Sequence, residues 1–122
     1  MAHILIVDDD ELIRITLHTI LERAGYETTM ATNGQDGLAK FRACPADLII
    51  LDMILPEKGG IEALIEFRQA QPDVKIIAIS GGVWGKETDC LQTIKNLGAN
   101  HCFTKPIHRD DLLGVMGKLL SQ

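Results

Sequence analysis

The chain has 122 residues, 46% of them hydrophobic and 24% charged, and a net charge of −5. Such a length suits one domain, 1–122, that buries roughly two-thirds of the surface its unfolded chain would expose, and the composition excludes disorder. The acidic balance excludes a nucleic-acid-binding face, which needs a basic stripe. No uncharged apolar stretch reaches the length of a membrane span, and Met1-Ala2-His3 does not open a signal peptide, so a cytoplasmic protein is expected.

His3 to Val7 reads as a first strand that ends in Asp8-Asp9-Asp10. A helix from Asp10 to Ala24 follows, with Ile13, Leu17, Ile20, Leu21 and Ala24 on one face and Gly25 as its stop. Asp10 and Glu11 are read as first-turn residues favoured by the helix dipole. Tyr26 to Ala31 is a second strand, polar enough to lie near an edge. Gln35 to Ala43 is a short helix, weakened by Gly37 at a cost of about 1 kcal/mol relative to alanine. Asp47 to Leu51 is the third strand and ends at Asp52; Ile61 to Ala70 is the third helix. Lys75 to Ile79 is the fourth strand and ends at Ser80. The glycine-rich stretch Gly81-Gly82-Val83-Trp84-Gly85 precedes a helix carrying Cys90, Leu91, Ile94 and Leu97. Asn100 to Thr104 is the fifth strand and runs into Lys105-Pro106, and Asp110 to Leu120 is the closing helix. Five strand–helix units in strict alternation imply a doubly wound parallel α/β sheet.

Parallel sheets of this kind bind ligands outside the carboxyl ends of their strands, at the point where the strand order reverses. In a sheet of order 2-1-3-4-5 the first and third strands are neighbours there, so Asp8, Asp9 and Asp52 converge with Ser80 and Lys105. Singly, each residue has an ordinary reading: an aspartate after a strand is usually a cap or turn residue, a lysine a solvated charge, a serine a loop former. Jointly placed at four strand ends, they suit a hard cation and a phosphoryl group. Oxygen ligands favour Mg²⁺, with Mn²⁺ as a substitute. A carboxylate can act as a nucleophile that forms an aspartyl phosphate, while Lys105 and Ser80 can bind phosphoryl oxygens.

These residues resemble the receiver domain of two-component response regulators. The resemblance runs through Ile4-Leu5-Ile6-Val7-Asp8-Asp9-Asp10, Asp47-Leu48-Ile49-Ile50-Leu51-Asp52, Leu55-Pro56, Gly60, Ser80-Gly81, Gly98-Ala99 and Lys105-Pro106-Ile107. It implies a flavodoxin-like fold and phosphorylation of Asp52 by a sensor histidine kinase or a histidine phosphotransfer protein. It further implies Mg²⁺ held by Asp9, Asp52 and the backbone carbonyl of Ile54, with Asp8 acting through water, and a cis Lys105–Pro106 bond. A downstream output protein or a separate output domain is the implied recipient of the signal, since the chain ends after its last helix. Three positions depart from the family pattern. Cys102 stands where an aromatic switch residue is usual, and Phe103 is expected to face the other side of the strand. Gly59 replaces an acidic residue and leaves its loop looser. The loop after Ser80 is longer than usual and carries Trp84, read either as folded onto the surface or as a partner anchor; with Cys102 at the switch position, the loop from Gly81 to Lys86 is expected to carry the signal.

Rival readings are a haloacid-dehalogenase-type phosphatase, a flavin-binding flavodoxin and a receiver-like module that is not phosphorylated. The first needs an acid two residues after the nucleophile, where this chain has Ile54; the second needs a phosphate-cradling first loop, which Asp8-Asp9-Asp10 would repel. The third is disfavoured because all the expected site residues are present. Cys44, Cys90 and Cys102 show no C-x-x-C spacing and are expected to be plain, mostly buried thiols, and the four histidines form no ligand pattern.

Overall fold

The computed structural model describes residues 1–53, 59–80 and 95–122. Along the chain run β1 (His3–Val7), α1 (Glu11–Arg23), β2 (Glu27–Ala31), α2 (Gly34–Ala43), β3 (Leu48–Asp52), α3 (Gly60–Ala70), β4 (Lys75–Ser80), β5 (His101–Thr104) and α4 (Arg109–Leu120). The strands form one parallel sheet in the order β2-β1-β3-β4-β5. That is the expected order, and the polar strand β2 lies at an edge. The helix expected around Cys90, Leu91 and Ile94, and the loop carrying Trp84, lie outside the described residues.

Alternation along the strands builds two apolar layers, because helices cover both faces of the sheet. Leu5, Val7, Ile49, Leu51, Ile76 and Ala78 face one way, against Leu38 and Phe41 of α2 and Ala63, Leu64 and Phe67 of α3. Ile4, Ile6, Leu48, Ile50, Ile77 and Ile79 face the other, against Leu17 and Leu21 of α1 and Leu112, Met116 and Leu119 of α4. The rings of Phe41 and Phe67 meet edge to face at 5.5 Å and so join α2 to α3. Cys102 is buried in the first layer and Phe103 packs on the second, as their alternation requires.

Two glycines are explained by what surrounds them. Gly25 ends α1 in the left-handed region at φ 95°, and the N–H groups of Gly25 and Tyr26 donate to the carbonyls of Glu22 and Leu21. Gly37, a weak point for an isolated helix, allows a close approach: a Cβ there would lie 2.9 Å from Val7 Cγ2 and 3.3 Å from Phe67 Cζ. Cys44 departs from expectation. It is exposed rather than buried, because it caps the carboxyl end of α2 instead of lying on the helix's inner face.

Candidate functional site

Strand register assembles the site. One step beyond the β1–β3 pair Val7↔Leu51 the two chains reach Asp8 and Asp52. Asp52 pairs with Ile79, and Ser80 with Thr104, so that Lys105 follows directly. Asp52 and Ser80 are thus the last residues of β3 and β4, one position further than the sequence pattern indicates. Backbone bonds hold these ends: the Met53 N–H donates to the Ile79 carbonyl (2.9 Å), and the Lys105 N–H to the Ser80 carbonyl (2.9 Å). Gly60 packs flat against the chain just after Asp52, where a Cβ would meet Met53 Cα at 2.3 Å. The Lys105–Pro106 peptide is cis, in line with the resemblance.

Asp8 and Asp52 are 1% and 3% exposed, whereas Asp9 is exposed. One carboxylate oxygen from each of the three lies within 4.8 Å of those of the other two. Lys105 Nζ bridges two of them, at 3.3 Å from Asp8 Oδ2 and 3.5 Å from Asp52 Oδ2. Partial burial acts to lower the Lys105 pKa, but the Asp52 and Asp8 carboxylates outweigh it and hold the ammonium above its ordinary value. Asp8 Oδ1 accepts the Asp10 N–H at 2.9 Å, while Oδ2 is buried and, among the described residues, has no hydrogen-bond partner beside its ion pair with Lys105. Asp10 is turned to another task, since its Oδ1 accepts the Leu12 N–H as the cap of α1. Ser80 is buried at the end of β4. Ile54 and Gly81 lie outside the described residues.

Among the described residues one cation is set against three carboxylates, which leaves net negative charge, and a buried carboxylate oxygen without a hydrogen-bond partner there is costly. The donors are all hard oxygens, the set that suits Mg²⁺ or Mn²⁺. A divalent cation therefore fits these residues. Two supporting features were not read from the sequence. Arg14 Nη1 donates to the Asp8 carbonyl at 2.8 Å and ties the first loop to α1, although nothing in the local pattern marks that arginine. Leu12 and Ile15 on α1 are 71% and 49% exposed, and the first turns of α1 begin at the site's own loop.

The response regulator receiver domain family matches residues 4–116. The chain belongs to that family. The receiver is 36% identical to sporulation initiation phosphotransferase F of Bacillus subtilis over 117 residues, 96% of this chain and 92% of that one. It is 32% identical to the chemotaxis protein CheY of Thermotoga maritima over 95% of each chain. Among solved structures it is similar to a CheY-like receiver domain protein from Methanospirillum hungatei, with a TM-score of 0.89 and 32% identity over 99% of this chain and 94% of that one. The fold is flavodoxin-like, and the role of the receiver is that of a phosphoacceptor in two-component signal transduction. No described helix is long and apolar enough to cross a membrane.

Proposed function

We propose that Asp52 is the phosphoacceptor of this receiver, within a single domain spanning residues 1–122. The observation that carries this reading is a carboxylate 3% exposed at the end of β3, flanked by two further carboxylates and one ammonium at the strand crossover. The donor is a phosphohistidine on a sensor histidine kinase or a histidine phosphotransfer protein. An Asp52 oxygen attacks phosphorus, the P–N bond breaks, and the imidazole leaves with its electron pair. Lys105 Nζ, already beside Asp52, binds an oxygen of the transferred group, and the Ser80 hydroxyl donates to another. Mg²⁺, or Mn²⁺ in its place, would be held by Asp9, Asp52 and the Ile54 carbonyl, with Asp8 acting through water. When bound, the metal neutralises the carboxylates and the incoming phosphoryl oxygens. Such transfer needs mainly positioning and charge neutralisation, so the receiver takes part in its own phosphorylation and hydrolysis without being an enzyme acting on other substrates.

The exposed Leu12 and Ile15 beside the site give the donor an apolar surface to dock on. The phosphorylated receiver then acts on a downstream output protein or output domain, with no direct role for nucleic acid or membrane, in the cytoplasm. Incubation with acetyl phosphate and Mg²⁺ should add one phosphate by intact mass, and Asp52→Asn should add none. Full labelling of the Asn variant would refute the assignment.

A further inference from the structure

The opposite edge of the sheet carries a second arrangement of reactive groups, which phosphoryl transfer does not use. Cys44 is exposed at the carboxyl end of α2. Its Sγ lies 3.7 Å from His3 Nδ1 at the start of β1. On its far side the imidazole is held by Thr29 of β2, at 2.6 Å between Nε2 and Oγ1, and the His3 backbone N–H is fixed by Asp47 Oδ2 at 2.8 Å. With Nε2–H donating to Thr29, Nδ1 is left as the acceptor that faces the thiol. A nucleophile beside a base, with the base oriented by a third group, is the arrangement that activates a thiol. The imidazole is needed here, because Cys44 caps the carbonyl end of α2, whose dipole opposes a thiolate. Cys44 and His3 open onto a groove of about 690 Å³, bordered by Met1, Glu22, Tyr26, Glu27 and Thr28, where two carboxylates outnumber the single terminal amine.

We propose that Cys44 is a modification site that exchanges with small disulfides, favouring cationic ones because two glutamates line the groove. The Cys44 Sγ–H proton passes to His3 Nδ1, and the sulfur attacks one sulfur of the disulfide. A new S–S bond forms as the old one breaks, and the departing thiolate carries off the electron pair and takes the proton from His3. Cys44 is oxidised and the departing sulfur reduced, and no other reactant is consumed. Cys102 is buried and does not compete.

The test treats the whole chain with cystamine and follows each cysteine by peptide mass mapping. Cys44 should react first, and faster than with the anionic oxidised glutathione. His3→Gln should slow Cys44 about tenfold at neutral pH and hardly at all in strong base, where hydroxide takes the proton in place of the imidazole. Preferential reaction at another cysteine, a faster reaction with oxidised glutathione, or an unchanged neutral-pH rate in His3→Gln would overturn the proposal. Should His3→Gln make buried Cys102 reactive and so report unfolding, Thr29→Val decides instead: a slower neutral-pH reaction supports the dyad, and the wild-type rate overturns it.

Discussion

At the amino edge of the sheet, Arg68 donates to the carbonyls of Pro72, Val74 and Gly98 and to Asn100 Oδ1. Asn100 Oδ1 also accepts the Ile76 N–H. There one guanidinium gathers the end of α3 and the starts of β4 and β5 by donating to neutral acceptors from all three. At the carboxyl edge, among the described residues, three carboxylates share one ammonium, and a buried oxygen of Asp8 has no hydrogen bond. Both edges are polar, but among the described residues the amino edge is the better satisfied from within. Groups that pair with one another hold a fold together, whereas groups left poorly compensated in a cleft mark the place kept for a ligand.

The contrast breaks if the amino edge proves dispensable. Arg68→Ala strands several carbonyls and should cost about 2 kcal/mol. For a chain of this size that is a fall of about 6–10 °C in melting temperature, with little change in the extent of Asp52 phosphorylation at a temperature where the variant is folded. Thermal melts alongside acetyl phosphate labelling check both halves. At the carboxyl edge, Lys105→Met removes the only described counter-charge of Asp8 and Asp52. It should cost about 1 kcal/mol in chelator, discounted because the ammonium is partly exposed, and most of that loss should return on adding Mg²⁺. A Lys105→Met variant that gains no more from Mg²⁺ than the wild type would show that the lysine does not stand in for positive charge at this site.

The two edges were also unequally legible. β1 has the bounds its apolar run announces, and the convergence of Asp8, Asp52 and Lys105 could be read because each closes or follows a strand. Strand ends are local signals, and the crossover rule supplies their meeting. Arg68 could not be read in this way. In sequence it is a basic residue in the last turn of a helix, and its acceptors lie 4 to 32 residues away. Gly37 read as a weak point in α2 for the same reason, since the contacts with Val7 and Phe67 that require a glycine are nonlocal. Cys44 was misread because composition records how often cysteines are buried, not which of them stands at a helix end.

Sharper still is a test of sign. If the carboxyl edge is held against its own repulsion, removing one of its charges should stabilise the metal-free fold. Asp9→Asn should melt above the wild type in chelator and gain less from Mg²⁺, which acts on the wild type by binding the native state. Asp10→Ala should do neither, because Asp10 caps α1; loss of that cap lowers the melting temperature whether or not metal is present. A lower melting point for Asp9→Asn in chelator would contradict the picture.

The smallest expected effect lies at the amino edge, where one group works against the fold. His101, the first residue of β5, meets Phe103 in a tilted ring contact with centroids 4.7 Å apart. Partial burial, and then the nearby charge of Lys95, lower its pKa below the ordinary 6.5. The folded chain therefore prefers neutral imidazole. Its contribution is fully present above pH 6.5 and is lost as the pH falls through that value and past the lowered one, because the unfolded chain takes up the proton first. The residue is only partly buried, so the loss is modest. The difference in melting temperature between wild type and His101→Gln should narrow as the pH is lowered from 7.5 to 5, while carboxylates common to both proteins cancel in that difference. Lys95→Gln should weaken the trend without removing it, since burial is the larger cause. A difference that stays constant across that range would mean that His101 titrates alike in the folded and unfolded chains, and that the amino edge carries no such opposing group.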